Sequence, residues 1–396
     1  MPFLKFSKVN SLKVSSIVLN NFTNDSRVEK QAITLSRAGF NLTVLGLWKE
    51  GLESNQHKDG YKIERIKLLT SFFNGRLGRA LKFVEFSVKV ALRIKNTDII
   101  HCHDYHPILS ILFSIFFLGN VSKIIYDAHE LETEKNGLTK LSRILVSVLE
   151  KWISNRVDGF ITVSFAIQHH YVERFNFKQT EVILNCPPTW KKVSNDLFRK
   201  KFKIPQHSSV ALYQGGFMPG RAIKDLAQAF QINDIKNINF VFMGYPASTK
   251  EGRESYSLIL KKVQEFENIH FHDPVDPDSL CEFTGSADLG ICLIEDLCLS
   301  YRFCLPNKFF EYAMAGLPIL ASDLPEMRKL VEEYDCGVIC ESMTPDGIVC
   351  GLKKLLSKDL KKLGKNARKM AEDHSWEMQE KKLLRLYDKV LEKKAV

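Results

Sequence analysis

The stretch that decides the fold is Tyr301–Glu326, which reads YRFCLPNKFFEYAMAGLPILASDLPE. It predicts a helix with Pro306 in its first turn, where a missing N–H costs nothing, and with Gly316 as the residue that ends it. Leu317–Ala321 follows as a short apolar run, typical of a strand that is buried on both faces. A turn then leads into another helix, which Glu326 opens. Helix, buried strand and helix in this order indicate a parallel α/β sheet.

The beginning of this helix is a candidate anion site. The N–H groups around Pro306 and Asn307 and the helix dipole both favour negative charge. Lys308 places a cation in the first turn, which the dipole alone would disfavour, so a bound anion explains it economically. Glu311, one turn further on, is suited to accept hydrogen bonds from ribose hydroxyls. The alternative is a surface helix on which Lys308 and Glu311 are merely solvated.

The rest of the chain repeats the alternation of strand and helix. Val14–Leu19 predicts a first strand, Val28–Ala38 a helix and Leu42–Leu47 a second strand, which is the doubly wound pattern. The pattern breaks near Asn185 and restarts at Ser209. We therefore predict two Rossmann-like domains, with boundaries at residues 1–190, a linker at 191–208, a second domain at 209–374 and a closing helix at 375–396.

Composition limits the class of protein. The chain has 396 residues, 45% of them hydrophobic and 26% charged, which fits two soluble globular domains. Nine cysteines without CxxC pairs favour reduced core thiols over a disulfide or metal framework. The first ten residues, MPFLKFSKVN, do not read as a signal peptide, so we expect a cytoplasmic protein. Pro107–Gly119 is too short to span a bilayer and predicts a buried helix.

A glycine turn in the second half is a second candidate phosphate contact. Gly215 and Gly216 follow a predicted strand and let the backbone approach a phosphate closely. Arg221, at the start of the next helix, is able to bind a phosphate through two hydrogen bonds. Gly244 ends the following strand and opens onto the same edge of the sheet.

Polar side chains also follow the strands of the first half. Asp25 and Arg27 lie in the turn after the first strand, where a plain helix N-cap is the alternative role for Asp25. IIHCHDYHP carries His103 and Asp104, together with His101 and His106. Histidines this dense suggest a metal, but their spacing along a strand favours residues that line a loop.

Four segments resemble the family 4 glycosyltransferases, which are retaining enzymes of the two-domain B-type fold. LPNKFFEYAMAGLPILASDLPE looks like the family's donor-binding segment, and QGGFMPGRAIKDL is similar to the first turn of its donor domain. DSRVEKQAITL and YDAHEL resemble two segments of its first domain. The resemblance implies two Rossmann-like domains that face each other across a cleft, an N-terminal one for the acceptor and a C-terminal one for the nucleotide sugar.

The resemblance also implies roles for single residues. Arg221 would bind the diphosphate with Lys308, Glu311 the ribose, and His129 would lie beside the transferred sugar. The family carries a further glutamate at the position that Phe303 occupies here, so contacts to the donor sugar are not implied.

On the acceptor side the resemblance and the strand ends together select five residues. They are Asp25, Arg27, His103, Asp104 and Glu130.

The function that follows is transfer of a sugar, with retention, from a nucleotide-diphosphate sugar to a glycan or lipid-linked acceptor in cell-surface polysaccharide synthesis. We expect no metal and no cofactor besides the donor, because the cations suffice for the diphosphate and no DxD pair is placed to hold an ion. Two alternatives remain open: a nucleotide-sugar epimerase on the same fold, and a non-catalytic partner subunit.

One segment carries much of the net charge of +10. Residues 62–95 hold nine basic residues against Glu64 and Glu85, and apolar residues recur there at helical spacing. Such a helix suits the surface of an anionic membrane, and an ordinary solvated helix is the alternative. We expect no nucleic-acid partner. The basic residues are Lys62, Arg65, Lys67, Arg76, Arg79, Lys82, Lys89, Arg93 and Lys95, and the apolar ones Leu77, Leu81, Val84, Val88 and Leu92.

Overall fold

A computed structural model describes residues 12–175, 177–191, 193, 195–232, 235 and 237–392, without the side chain of Arg76. The segment on which we predicted the absence of a signal peptide lies outside this part of the chain, as do the last four residues of the predicted closing helix. Within the described residues, no helix combines the length and the apolar composition needed to cross a membrane.

The chain divides into two compact units. Unit 1 comprises Met1–Ile183 and Glu380–Val396, and unit 2 comprises Leu184–Gln379. The boundaries therefore fall earlier than the 190 and later than the 374 expected from the sequence. The stretch expected to be a linker contains a helix, Leu197–Phe202, whose Phe198 is fully buried. The many basic residues of this stretch predict a linker, but the buried side chain of Phe198 anchors a helix there.

Unit 1 is built on an eight-stranded sheet with the strand order β3-β4-β2-β1-β5-β6-β7-β8. All neighbours pair in parallel except β3, which forms an antiparallel hairpin with β4 that the sequence did not reveal. The strands are β1 (Lys13–Ile17), β2 (Asn41–Leu47), β3 (Asn55–Lys58), β4 (Tyr61–Ile66), β5 (Ile99–His103), β6 (Lys123–Ala128), β7 (Gly159–Thr162) and β8 (Thr180–Val182).

Five helices connect these strands. They are α1 (Ser26–Arg37), α2 (Gly75–Ile94), α3 (Ile108–Leu118), α4 (Lys140–Ser154) and α5 (Phe165–Arg174). Because parallel crossovers are right-handed, α2, α3 and α4 lie on one face of the sheet and α1 on the other. The helix predicted to be buried, α3, leaves Phe116 and Phe117 exposed, so that prediction is wrong for its carboxyl end.

Unit 2 contains a six-stranded parallel sheet with the order β11-β10-β9-β12-β13-β14. Its strands are short and almost wholly apolar, as strands covered on both faces are. The strands are β9 (Ser209–Gln214), β10 (Ile238–Met243), β11 (Ile269–His272), β12 (Leu289–Cys292), β13 (Ile319–Ser322) and β14 (Gly337–Cys340). The predicted α/β class, with two parallel doubly wound sheets, is confirmed.

The remaining helices are α6 (Leu197–Phe202), α7 (Ile223–Ala229), α8 (Lys250–Glu265), α9 (Leu280–Thr284), α10 (Leu299–Arg302), α11 (Asn307–Ala315), α12 (Pro325–Tyr334), α13 (Pro345–Leu356), α14 (Leu360–Asp373) and α15 (Trp376–Glu392). Helix α13 ends at Leu356, and Asp359 caps α14, since its carboxylate accepts from the N–H of Lys362. Trp376, the first residue of α15, is buried, and its backbone N–H donates to the Pro187 carbonyl.

A buried ion pair fixes α1 to the sheet of unit 1. The guanidinium of Arg27 donates to both oxygens of Asp127, at 3.1 and 2.8 Å, and to the carbonyl of Ile183 at 2.6 Å. Gln31, one turn along α1, donates to the same carboxylate at 2.7 Å. Arg27 is 2% exposed and Asp127 is fully buried, so neither charge has water as an alternative partner.

We predict that Asp127→Asn lowers the free energy of unfolding by about 3–5 kcal/mol, because it leaves a buried guanidinium without its counter-charge. The matched control is Asp323→Asn, which breaks the exposed pair with Arg328 and should cost at most about 1 kcal/mol. Urea denaturation measures both changes, and equal midpoints for the two variants would contradict the assignment.

The pKa of the Asp127 carboxyl points the same way: burial raises it, but Arg27 and His129 outweigh burial and hold it well below its ordinary value. The contribution of this ion pair to the free energy of unfolding is therefore present at neutral pH, and it is lost only as the pH falls through the lowered pKa of Asp127.

Candidate functional site

In unit 2 the turn after β9 brings bare backbone to the carboxyl edge of the sheet. Gly215 has a φ of 117°, which a residue with a side chain rarely adopts. Gly244 ends β10 beside it, and a Cβ on Gly244 would lie 1.9 Å from the Gly215 carbonyl oxygen. Both glycines are therefore required by this close approach. Gly216 follows with its backbone on the same edge.

The first turn of α11 opens beside this glycine turn. Pro306 occupies the N-cap position in an extended conformation, one residue outside the helix in which it was predicted, and the helix begins at Asn307. No side chain caps the first-turn N–H groups. Gly316 ends the helix in the left-handed conformation, at a φ of 79°, as predicted. The amino end of α11 therefore retains donors for an anion.

Two cations converge on the same place with their charged ends buried. Within the described residues, Nζ of Lys308 and one terminal nitrogen of Arg221 have neither solvent exposure nor a hydrogen-bond partner. Nζ of Lys308 lies 3.8 Å from the ring centre of Tyr213, and a Cβ on Gly215 would lie 3.6 Å from it. The Arg221 guanidinium lies 4.9 Å from the ring centre of Tyr301. Aromatic rings lie against both cations, and within the described part of the chain neither cation forms an ion pair with a carboxylate.

This environment alters the charge of Lys308. Burial lowers the pKa of its amine from its ordinary value to about 7, and the nearby Arg221 adds to the effect. A lysine in this state is only partly charged at neutral pH. An anion bound beside it would restore the full charge.

Glu311 belongs to a hydrogen-bonded chain one turn further along α11. The Gln214 amide donates to its carboxylate at 2.6 Å, and the Thr284 hydroxyl donates to the Gln214 carbonyl at 2.8 Å. The hydroxyl of Tyr312 accepts from the backbone N–H of Gln214 at 2.8 Å. These contacts fix the orientation of the carboxylate. The sequence pattern does not point to Gln214 or Thr284, although Gln214 directly precedes the glycine turn.

Phe303 ends the short helix α10, immediately before the Pro306 turn. Its neighbour Arg302 pairs with Asp296 at 2.6 Å. Phe303 places an aromatic ring at the position for which the family resemblance implies a glutamate.

In unit 1 the polar residues predicted at the ends of β5 and β6 lie together. The N–H of His129 donates to Asp104 at 3.0 Å, and Nε2 of His129 lies 3.1 Å from Nδ1 of His103. Nε2 of His103 lies 2.9 Å from the Ser16 hydroxyl. Nε2 of His129 also lies 3.6 Å from the carboxylate of Asp127. A row of hydrogen-bonding groups thus connects a partly exposed histidine to the core.

The pKa values of His129 and His103 are shifted in opposite directions. Burial lowers the pKa of His129, but the carboxylates of Asp104 and Asp127 outweigh burial and raise it above its ordinary value. Burial also lowers the pKa of His103, which has less compensation. A charged His129 that donates to a neutral His103 fits both directions, with His103 in turn donating to Ser16.

The other acceptor-side candidates are placed differently. Asp25 caps α1, since its carboxylate accepts from the N–H of Val28 at 3.3 Å, and it also accepts from Asn20. Arg27 is occupied by the buried pair with Asp127. Glu130 is exposed beside His129.

His101, His103 and Asp127 bring three potential metal ligands within 4.8 Å of one another. They fit a metal poorly, because Arg27 and Gln31 already occupy the Asp127 oxygens. The hydroxyl of Tyr387 likewise engages Nδ1 of His101, at 2.8 Å.

Two family models match the chain. The model described as Glycosyltransferase Family 4 matches residues 27–188, and the one described as Glycosyl transferases group 1 matches residues 194–370. The first includes the histidine and carboxylate cluster, and the second includes both buried cations.

Curated relatives agree with this family. The chain is 25% identical over 254 residues to a lipopolysaccharide 1,2-N-acetylglucosaminetransferase of Salmonella typhimurium, covering 62% of this chain and 65% of that one. It is 23% identical over 261 residues to a putative teichuronic acid biosynthesis glycosyltransferase, TuaH, of Bacillus subtilis, covering 64% and 62%. The matched region thus spans a little under two thirds of these relatives.

Solved structures share the fold at low sequence identity. A sucrose-phosphate synthase from Thermosynechococcus elongatus superposes with a TM-score of 0.79 at 16% identity, covering 97% of this chain and 100% of that one. HepE of Anabaena, in complex with UDP-glucose, gives 0.72 at 13% identity, covering 96% and 98%. Two parallel α/β units, two matching family models and these relatives lead to one conclusion: the chain belongs to the family 4-like glycosyltransferases of the B-type fold.

Proposed function

We propose that this protein transfers a sugar, with retention, from a nucleotide-diphosphate sugar to a glycan or lipid-linked acceptor in cell-surface polysaccharide synthesis. The observation that carries the proposal is that Nζ of Lys308 and one terminal nitrogen of Arg221, beside the Gly215–Gly216 turn, are buried without a hydrogen-bond partner among the described residues. A diphosphate supplies the negative charge that this pocket lacks. The polysaccharide context is supported by the names of the two curated relatives.

The donor site acts mainly through electrostatics. As the bond between sugar and phosphate breaks, negative charge develops on the departing diphosphate. Lys308, Arg221 and the N–H groups at the start of α11 stabilise that charge, in a setting that needs little reorganisation. Glu311, held by Gln214, accepts hydrogen bonds from the ribose hydroxyls. Because these cations already neutralise the phosphates, we propose that transfer needs no bound metal and no cofactor besides the donor.

Retention follows from front-face attack. In this scheme the acceptor hydroxyl bonds to the anomeric carbon on the side that the phosphate leaves, and its proton passes to the departing phosphate oxygen. His129, whose pKa Asp104 and Asp127 raise against the effect of burial, provides a hydrogen-bond donor to the sugar. Glu130 and Asp104 belong to the acceptor side. For a lipid-linked acceptor we also propose peripheral contact with a membrane.

Calorimetric titration with UDP, GDP, ADP, CMP and their common sugar conjugates tests the donor assignment. The proposal expects one diphosphate series to bind, with the sugar adding affinity, and binding of none would count against it. Proton NMR of the product then reads the anomeric configuration. Conversion of the donor without any acceptor would favour the epimerase instead.

We predict that Arg221→Ala and Lys308→Ala each weaken nucleoside diphosphate binding by about 1.5–3 kcal/mol, since each removes a charge-assisted hydrogen bond to the phosphates. The matched control is Lys224→Ala, an exposed cation at the start of α7, which should leave the affinity unchanged. Calorimetry measures all three. Wild-type affinity in both site variants would place the phosphates elsewhere.

Binding should also depend on pH. Because burial holds the pKa of free Lys308 at about 7 and a bound diphosphate favours its charged form, nucleotide-sugar binding at pH 8 takes up a proton. Affinity should then fall about tenfold per pH unit above 7. Calorimetry in two buffers of different protonation enthalpy measures the uptake. Lys308→Arg stays charged and should show none, and the absence of uptake in the wild type would refute the assignment.

The role of Glu311 can be separated from that of the phosphate site. The wild type should bind a nucleoside diphosphate about tenfold or more tightly than its 2′,3′-dideoxy analogue, because the carboxylate loses its hydroxyl partners. Glu311→Ala should remove this preference, whereas Glu341→Ala, at an exposed carboxylate of unit 2, should keep it. A preference that survives in Glu311→Ala would exclude the ribose contact.

A further inference from the structure

Helix α2 has two apolar sides, and only one packs against the protein. Phe86, Val90 and Ile94 are fully buried against unit 1. Other apolar residues of α2 also recur at helical spacing, and they form a second stripe that is exposed to solvent. It consists of Leu77, Leu81, Val84, Val88 and Leu92, which are 37–74% exposed.

The neighbouring helices expose apolar residues in the same way. On α4, Val146 and Ile153 are buried, while a stripe at i, i+3, i+4 and i+7 is 57–78% exposed. On α3, Phe116 and Phe117 are 64% and 76% exposed. The α4 stripe consists of Leu141, Ile144, Leu145 and Val148.

These stripes lie on one side of unit 1. The three helices cover the same face of the sheet, and the ring centres of Phe116 on α3 and Trp152 on α4 are 6.2 Å apart. The turn at Leu69–Phe72 is fixed to α2, because Glu85 accepts from the N–H groups of Leu69 and Thr70 at 2.7 and 2.8 Å. We call this surface the apolar face. It comprises Leu69, Phe72, Leu77, Leu81, Val84, Val88, Leu92, Phe116, Phe117, Leu141, Ile144, Leu145 and Val148.

Cations accompany the apolar face, and acids are scarce on it. Within their sequences, α3 carries no carboxylate, α2 carries Glu85 alone and α4 carries Glu150 alone. Glu150 is fully buried, and Glu85 is occupied by the turn and by Lys89 at 2.6 Å. The charges left at the surface of α2 and α4 are therefore almost all positive. Those without an ion pair among the described residues are Arg79, Lys82, Lys140 and Lys151, whereas Arg93 pairs with Glu64 and Arg143 with Glu134 at 3.6 Å.

We propose that the apolar face inserts into the interfacial region of an anionic lipid bilayer and that the cations around it bind the lipid headgroups. Large apolar side chains in a cationic surround match the two layers of such an interface, hydrocarbon beneath and negative charge above. A protein partner with an apolar groove would need a matching acidic rim, and a second copy of this chain would bring the same cations together. Charge complementarity therefore favours lipid.

This inference gives a surface to the membrane contact proposed above, and it extends beyond residues 62–95 to α3 and α4. It does not depend on the donor site, since lipid binding requires no nucleotide. If the membrane surface is refuted, the donor-site proposal still stands, and the reverse also holds.

The test is co-sedimentation of the full chain with vesicles of phosphatidylcholine alone and with phosphatidylglycerol added. We expect binding to the anionic vesicles that weakens as salt is raised. The triple variant Leu77→Ser/Phe117→Ser/Ile144→Ser should lower the partition coefficient at least about tenfold. Its side chains are exposed, so its midpoint of urea denaturation should match that of the wild type, which reports correct folding without a nucleotide. Leu260→Ser, at an apolar residue of α8 in unit 2 that is 36% exposed, is the control and should bind as the wild type does.

A second variant tests the charges alone. Arg79→Glu/Lys140→Glu/Lys151→Glu should lower binding to anionic vesicles by about fivefold or more for each charge. Equal binding of the wild type and the triple serine variant would overturn the proposal, as would equal binding to neutral and anionic vesicles. A stable dimer without lipid, which the serine variant converts to monomers in sedimentation velocity, would assign the apolar face to a second copy instead.

Discussion

The constraint on which the donor site depends is the burial of two cations without an anion. Nζ of Lys308 and a guanidinium nitrogen of Arg221 are removed from water, and nothing in the described part of the chain accepts their hydrogen bonds. Unsatisfied buried donors are costly and rare in native proteins, so a cluster of them needs an explanation. The turn at Gly215 and the start of α11 are shaped around the same point, which makes a bound anion the simplest one.

The buried carboxylate of Asp127, in unit 1, is the opposite case. Arg27 and Gln31 donate to both oxygens of Asp127, and this carboxylate helps to raise the pKa of the neighbouring His129. That arrangement is complete without a ligand. The contrast is between a structural ion pair, which stabilises unit 1, and two cations of unit 2 that lack an anion, as the proposed phosphate site requires. Arg27 thus serves the fold, although its place after the first strand suggested a contact with substrate.

The sequence predicted those parts of the fold that follow local rules. Gly316 ends α11 because it can adopt a left-handed conformation, and the apolar runs became buried parallel strands. Features that depend on tertiary packing could not be predicted from the sequence. The stripe from Leu77 to Leu92 has the spacing of a core face, yet α2 packs with Phe86 and its neighbours instead. Periodicity shows that a helix has an apolar side, but it does not show which of two sides meets the sheet. Gln214 was missed because its role depends on Glu311, far away in sequence.

The most direct test of the central claim is a crystal structure of the protein with the nucleoside diphosphate that it binds. The account predicts phosphate oxygens within hydrogen-bond distance of Nζ of Lys308 and the guanidinium of Arg221, against the Gly215–Gly216 turn. A diphosphate bound elsewhere, with both cations still lacking a partner, would contradict it.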